Sequence, residues 1–331
     1  MSDKSANGLP LTGLVYQTIP GFEDHLQKEL RLCARLSARL SAHAANIESW
    51  GPLLYLNNTP ASAPPVFWHL NTWLNPIKIE FESINEAATA LRAIQRNWAA
   101  HLFTQFRRGS LITSRLPHVS QKRKPFPWQI PGTSAMGAWT LLDANTMIAS
   151  PLCSSPFPSG AIEFEEDREG PPGRAYLKLW ESLVRLGRMP GKGERCLDAG
   201  ASPGTWTWAI SRLGAEVIAI DRAPLDKSVA AMPGVIFIRH DAFTIKPEDI
   251  GPIDWLFSDV ICYPSRLFEW IEKWLASGLC SNFVCTIKMQ GTIENGVDFD
   301  SPRRFAAIHG SRVLHLYHNK HELTWMKVPE F

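Results

Sequence analysis

The sequence predicts an α/β chain: a C-terminal half built on a mostly parallel seven-stranded sheet, preceded by a smaller α+β region. Three observations predict it. From Arg195 onward, apolar runs of strand length alternate with amphipathic runs of helix length, the pattern of a parallel sheet covered on both faces. Before Ser150 strands and helices follow no such alternation. Between the halves lies the Pro/Ser/Gly-rich stretch Ser150–Gly160, followed by the acidic Glu163–Glu169 and by Pro171 and Pro172, which reads as a linker. The expected domains are therefore residues 1–150 and 151–331.

In the first half, Gly13–Ile19 reads as a strand and Gly21–Leu40 as a helix, separated by Pro20 and Gly21. Leu53–Leu56 and Ile77–Phe81 read as strands. Apolar positions recurring at helical spacing predict one long helix over Asn85–Phe106. Trp139–Leu142 and Thr146–Ala149 flank Asp143, Ala144 and Asn145, a hairpin signal.

In the second half, a helix over Arg174–Met189 precedes strands at Arg195–Ala199, Glu216–Asp221, Val235–Arg239, Trp255–Asp259, Phe283–Lys288, Val313–His318 and Glu322–Val328. Helices fall at Trp206–Leu213, Arg266–Ser277 and Pro302–His309. Only Asn319, Lys320 and His321 separate the last two strands. That is too short for a crossover, so the last strand must run antiparallel. Parallel strands closed by an antiparallel hairpin are the ending of the Rossmann-like methyltransferase fold, and a plain dinucleotide-binding dehydrogenase ends otherwise.

Charge separates the halves too. Residues 1–150 carry 14 Lys/Arg against 9 Asp/Glu, and the remainder 20 against 23. No acid occurs between Glu86 and Asp143, whereas Arg92, Arg96, Arg107, Arg108, Arg115, Lys122, Arg123 and Lys124 do. Trp98, Phe103, Phe106, Phe126, Trp128 and Trp139 are interleaved with them. Basic side chains neutralise phosphates and aromatic faces stack on unpaired bases, so the tract suggests RNA, and Arg107, Arg108, Arg115, Lys122, Arg123 and Lys124 are its candidate contacts. A solvated helix face over an aromatic core accounts for the same composition equally well. The six cysteines form no CxxC pair and read as buried free thiols of a cytoplasmic protein. The start MSDKSANGLP has neither the basic region nor the apolar run of a signal peptide, and no apolar run is long enough for a membrane span. His315 and His318 have no acidic partner motif, so no metal site is expected.

The segment Leu197–Trp206 (LDAGASPGTW) joins the first strand of the second half to the next helix. Glycines at 200 and 204 let backbone approach a ligand, and a helix N-terminus favours a negative group. The GxxxG spacing and Pro203, which has no N–H, argue against a nicotinamide dinucleotide. Asp221 ends the second strand, where a carboxylate can accept both ribose hydroxyls of an adenosine, and Asp241, just past the third, is placed for an adenine amino group. The expected cofactor-binding set is Gly200, Ser202, Pro203, Gly204, Thr205, Trp206, Asp221, Asp241 and Asp259.

DAGASPGTWTW resembles the DLGAxPGGW turn of the FtsJ-type RNA 2′-O-methyltransferases. The Lys–Asp–Lys–Glu tetrad of those enzymes has matches at Lys178 (YLKLWE), Asp259 (FSDV), Lys288 (CTIKM) and Glu322 (NKHELTW). The resemblance is most specific to the bacterial ribosomal RNA large subunit methyltransferase M family. It extends to Pro20–Glu23, Ser155–Phe157 and Leu316–His318, loosely in the first half and closely from about Ser155. It implies S-adenosylmethionine as cofactor, a THUMP-type RNA-binding N-terminal region, and a cytidine ribose of 23S rRNA, or of a large-subunit precursor, as target. No membrane and no obligate protein partner are implied. The sequence departs from the family pattern at Thr205, where a second glycine is expected, and at Ala175, where a serine is expected.

Methyl transfer to a hydroxyl is an in-line displacement, so the protein must align the oxygen and take its proton. The expected roles are Lys288 as general base, Asp259 to orient it and touch the cofactor, Lys178 as positive charge, and Glu322 to align the lysines. A lysine serves as base only if its pKa falls; a second ammonium and desolvation lower it, and carboxylates raise it. Two rivals keep the fold: a small-molecule O-methyltransferase, disfavoured by the basic first half, and a non-catalytic RNA-binding protein.

Overall fold

The computed structural model describes residues 8–38, 46–58, 65–132, 135–289 and 297–329. The chain divides into two compact units, one of residues 1–123 and 131–163, the other of residues 124–130 and 164–331. The division thus falls at 163/164 rather than at the expected 150/151. The Pro/Ser stretch belongs to the first unit because it is built into it: Ser154 N donates to Thr72 O at 2.8 Å, and Gln17 donates to Ser159 O at 2.8 Å.

The first unit runs β1 (Leu9–Pro10), β2 (Gly13–Gln17), α1 (Glu23–Ala38), β3 (Ile47–Trp50), β4 (Leu53–Asn57), β5 (Asn71–Trp73), β6 (Ile77–Glu80), α2 (Ile84–Ile94), β7 (Trp98–Ala100), α3 (Phe106–Thr113), β8 (Gly137–Leu141) and β9 (Thr146–Ser150). Its strands form a five-stranded sheet, β1-β6-β9-β8-β7, and a four-stranded one, β3-β4-β2-β5. Arg39 and Leu40 of the expected first helix lie outside the described residues. The expected β8–β9 hairpin is present, with Leu141 opposite Met147.

The single helix expected over Asn85–Phe106 is instead α2, β7 and α3. Ser83 caps α2 by accepting the Glu86 N–H at 3.2 Å. At the other end Gln95 turns extended, and the Trp98 indole N–H donates to Leu91 O at 2.9 Å and to Gln95 O at 3.1 Å. Trp98 then opens β7, which pairs parallel with β8. A buried three-residue strand is too short for an alternating pattern, so helical spacing on either side of it reads as one helix.

The second unit runs α4 (Tyr176–Leu186), β10 (Arg195–Ala199), α5 (Thr205–Ser211), β11 (Glu216–Asp221), α6 (Lys227–Ala230), β12 (Val235–Arg239), α7 (Pro247–Ile250), β13 (Trp255–Ser258), α8 (Pro264–Ser277), β14 (Asn282–Lys288), α9 (Asp300–Ala306), β15 (Ser311–Leu314) and β16 (Glu322–Lys327). The sheet order is β12-β11-β10-β13-β14-β16-β15. Strands β10 to β14 are mutually parallel, and β16 runs antiparallel to both β14 and β15. The closing strand is therefore inserted between its two predecessors rather than added at the edge. That insertion puts Lys288 directly opposite Glu322 in the β14–β16 register. The order reverses beside β10, which has β11 on one side and β13 on the other, and ligands bind beyond the carboxyl ends of strands at such a switch point.

One carboxylate fixes the turn that feeds β16. Glu181 of α4 is fully buried, and its Oε1 accepts Arg185 Nε at 2.9 Å and Tyr317 N–H at 3.1 Å. Its Oε2 accepts His318 N–H at 3.1 Å and lies 2.9 Å from His318 Nδ1. The acidic partner that sequence spacing did not give His318 thus comes from α4, one turn beyond Lys178. His315 is buried with Nε2 3.0 Å from Lys320 O. Burial opposes ionisation of Glu181, but Arg185 and His318 outweigh it and hold its pKa below the ordinary range. Glu181→Ala leaves Arg185 and two backbone N–H groups without this acceptor. It should destabilise the fold by roughly 3–5 kcal/mol, seen as a lower urea midpoint; an unchanged midpoint would refute the clamp.

Candidate active site

Four charged side chains from four elements of the second unit meet in a ring. Lys178 reaches from α4, Asp259 follows the last residue of β13, Lys288 ends β14, and Glu322 opens β16. Lys178 Nζ donates to Asp259 Oδ1 and Oδ2 at 2.9 and 2.8 Å, and to Glu322 Oε1 at 2.7 Å. Lys288 Nζ donates to Asp259 Oδ1 and to Glu322 Oε2, both at 2.6 Å. Each ammonium thus bridges the same two carboxylates, so the signs alternate. Side-chain exposure is 9% for Lys178 and Glu322, 18% for Asp259 and 17% for Lys288. The ring is mostly desolvated, and its Asp259–Lys288 edge is the more open one.

Burial disfavours the charged form of Lys288, but Asp259 and Glu322 outweigh burial and hold its pKa above the ordinary lysine value. Asp259 is likewise opposed by burial and carried below its ordinary value by Lys178 and Lys288. Of the opposing effects weighed from sequence, the carboxylates prevail, and Lys288 is an ammonium at neutral pH.

A cavity of about 530 Å³ opens beside the ring, within the usual size of small-molecule sites. Gly200, Ser202, Asp221, Asp241, Asp259 and Lys288 line it, together with Arg222, His240, Phe243, Val260, Ile261 and Arg266. Gly200 has φ +80°, and a Cβ there would lie 2.6 Å from Val260 Cβ; Gly204 has φ +112° and would meet Val229 at 2.9 Å. Glycine is therefore required at both for backbone conformation and close packing. Asp221 accepts Ser202 N–H at 3.0 Å and Ala223 N–H at 2.9 Å, which fixes its carboxylate and leaves lone pairs for ribose hydroxyls. These features fit an adenosine-type cofactor.

Pro203, Gly204, Thr205 and Trp206, which the sequence also assigns to the cofactor, do not line the cavity. Thr205 is buried at the start of α5, and the Trp206 indole N–H donates to Ala175 O at 2.9 Å. Pro203 is exposed and Gly204 is the N-cap of α5, while Trp206 ties the start of α5 to the start of α4. Ala175, where the family pattern has a serine, is the N-cap of α4 and makes no side-chain cap hydrogen bond. Asp198 is fully buried under the turn, and Thr207 Oγ1 donates to its Oδ2 at 2.6 Å. Burial pushes the Asp198 pKa up to about 7. Asp241 is already engaged: Arg222 and Arg266 pair with its Oδ2, and Phe243 N–H donates to Oδ1 at 3.0 Å. The Arg266 guanidinium also sits 4.6 Å from the Phe243 ring centroid. Arg222, Phe243 and Arg266 were not among the expected site residues; the basic and aromatic types near Asp241 were the available signal.

The basic tract is divided between the units, with Lys124 in the second and the others in the first. Arg107, Arg115, Lys122 and Arg123 are exposed, and Arg123 pairs with Glu163 at 3.2 Å. Arg108 is half-buried over the Phe81 ring, and Lys124 lies 5.3 Å from the Trp128 centroid. Trp98 and Trp139 are buried in the first unit's core and are not available to stack on bases; Phe106, 61% exposed, is.

Residues 172–291 match the family described as FtsJ-like methyltransferase. The second unit carries an FtsJ-like methyltransferase domain. Proteins named ribosomal RNA large subunit methyltransferase M are similar to this chain. The one from Azoarcus sp. is 31% identical over 51% of this chain and 49% of its own length. The one from Halorhodospira halophila is 33% identical over 51% and 50%. The chain spans about half the length of these curated relatives. A solved fibrillarin pre-rRNA processing protein from Methanococcus jannaschii covers 46% of this chain and 74% of its own at 19% identity, with a TM-score of 0.36 that carries no weight for function. Among the described residues, no helix is long and apolar enough to cross a membrane.

The shifted pKa values set how the ring responds to pH. Asp259 is lowered below its ordinary 3.8, so its stabilisation is present above that value and is lost as pH falls through the folded pKa. Lys288 is raised above its ordinary 10.5, so its stabilisation is complete below that value and is lost as pH rises beyond it. An Asp259→Asn variant should therefore lose stability relative to the parent at neutral pH, and the gap should narrow as pH falls below the ordinary carboxylate range. Chemical denaturation across pH checks this; a gap that persists in acid would show the loss to be one of packing.

Proposed function

We propose that this chain transfers a methyl group from S-adenosylmethionine to a ribose 2′-hydroxyl of RNA, with a cytidine of 23S rRNA, free or in a large-subunit precursor, as the target. The observation that carries the reading is the closed Lys178–Asp259–Lys288–Glu322 ring on the wall of a nucleoside-sized cavity. Two lysines and two carboxylates in contact suit a reaction in which a neutral hydroxyl loses a proton while the leaving group loses a positive charge.

S-adenosylmethionine supplies a sulfonium-activated methyl carbon, so the chain's own residues need only bind it, align the hydroxyl and take its proton. Asp221 would hold the ribose hydroxyls of the cofactor, and Gly200 and Ser202 the backbone wall beside it. Lys288 is the proton acceptor in its neutral form. Asp259 and Glu322 orient it, and Lys178 supplies the positive charge that balances them. Because the carboxylates raise the Lys288 pKa, the neutral form is scarce at pH 7. The logarithm of kcat should then rise with unit slope from pH 7 to beyond 9. Lys288→Ala should lower kcat by roughly 10²- to 10⁴-fold while calorimetry still detects cofactor binding. Full activity in that variant, or a flat pH profile, would sink the assignment.

We infer further that the first unit is a THUMP-like RNA-binding region. The exposed Arg107, Arg115, Lys122 and Arg123 support this, with Phe106 beside Arg107 on α3. Replacing Arg107, Arg115 and Lys122 by alanine should weaken rRNA binding and lower the slope of log K against log[salt] by up to about one per lost phosphate contact. An unaltered slope would place RNA contact elsewhere.

A further inference from the structure

Of the large apolar side chains that are strongly exposed in the second unit, two follow the ring member Asp259 closely in sequence. Ile261 is 85% exposed and Tyr263 is 68% exposed. They stand two and four residues after Asp259, on the segment joining β13 to α8. Both ends of that segment are fixed. At its start Val260 packs against Gly200, so closely that a Cβ on Gly200 would lie 2.6 Å from it. At its end Tyr263 is the N-cap of α8 and Pro264 the first helical residue, so the backbone is held by a helix start. The segment is thus braced by its small neighbour and its helix while two large apolar groups stay in water. Two large apolar groups held on one short braced segment offer an apolar face for contact.

The chemistry at the ring says which partner. Ile261 lines the same cavity as Asp259 and Lys288. A ribose hydroxyl presented to Lys288 brings its base with it, because the base is attached to the adjacent ring carbon. The base must be unstacked from its neighbours for the ribose to enter, and an unstacked base is held by an aromatic or aliphatic face. We propose that Ile261 and Tyr263 form the platform on which the base of the methylated nucleotide rests, the Tyr263 ring against its face and Ile261 against its edge. This rests on the RNA methylation reading above and adds the residues that hold the substrate. Neither side chain belongs to the ring, and Tyr263 is not among the residues that line the cavity.

The test is methyl incorporation from tritiated S-adenosylmethionine into deproteinised rRNA from cells lacking the protein, with RNA concentration varied. Tyr263→Ala should lower kcat/KM for RNA by roughly ten- to a hundredfold, the range for losing one base–aromatic stack, mainly through KM. Ile261→Ala should act in the same direction, and Tyr263→Trp should restore most of the loss, since a larger ring keeps the stack without the hydroxyl. Cofactor affinity by calorimetry should be unchanged in the two Tyr263 variants, because Tyr263 is not among the residues lining the cavity. Unaltered kcat/KM in the Ile261→Ala/Tyr263→Ala double variant, or a loss of cofactor affinity in Tyr263→Ala that matches its loss of activity, overturns the proposal. No incorporation by the parent chain would instead overturn the methylation reading beneath it.

Discussion

Lys288 and Glu322 face each other across β14 and β16, and that cross-strand pair is the constraint on which the rest of the site depends. Two opposite charges on neighbouring strands would be unexceptional at a solvated edge. Here they are closed by Lys178 from α4 and Asp259 after β13 into four alternating charges with contacts of 2.6–2.9 Å. Removing charges from water is expensive, and a buried ionic cluster is rarely the most stable way to fill a space. The fold invests in placing this one: β16 is inserted next to β14, Glu181 fixes the turn ahead of it, and Trp206 anchors the start of the helix that carries Lys178. The first two act on Glu322 and the third on Lys178, and all converge on one end of the sheet.

Most of the second unit was legible in the sequence because parallel strands buried on both faces are nearly continuous apolar runs with polar breaks. Strands β10, β11 and β12 occupy the residues that pattern marks. The short gap expected before Glu322 also showed that the last strand must reverse. The strand expected over Val313–His318 in fact ends at Leu314, because Tyr317 and His318 are held in the turn by Glu181, and the reversal still holds. The gap could not show which strand β16 would pair with, because loop length limits direction and not neighbour. Glu181 was illegible for a related reason: its partners at Tyr317 and His318 lie 136 and 137 residues away, and no local pattern links them. In the first unit β1, β5 and β7 have two or three residues each and carry no period of their own, so β7 vanished into an apparent long helix.

The candidate site shows the same division between local and distant information. Gly200 and Asp221 are set by local rules, a left-handed turn and a strand end, and both line the cavity. Thr205 and Trp206 belong to the same motif but are buried and do not line the cavity, and the Trp206 partner, Ala175 O, lies 31 residues away, beyond the reach of a local motif. Asp241 is a strand-end carboxylate as expected, yet its charge is already met by Arg222 and Arg266, contributed by β11's exit and by α8. An adenine approaching it meets a neutralised carboxylate and a guanidinium resting on Phe243, so those arginines must yield or share.

The raised pKa of Lys288 and its proposed role as a base look opposed, but the same contacts account for both. Asp259 and Glu322 raise the pKa because they accept the ammonium protons, and accepting them also fixes the nitrogen in place. A hydroxyl that takes one of those contacts removes part of what favours the charged form, while Lys178 keeps the displaced carboxylate paired. Burial, which already opposes the ammonium, then counts for more as water leaves the cavity. A ring with a single lysine would lack that reserve: displacing one carboxylate would strand a buried negative charge. Two lysines sharing two carboxylates let one nitrogen change partners at little electrostatic cost, which gives a physical reason for four members rather than two.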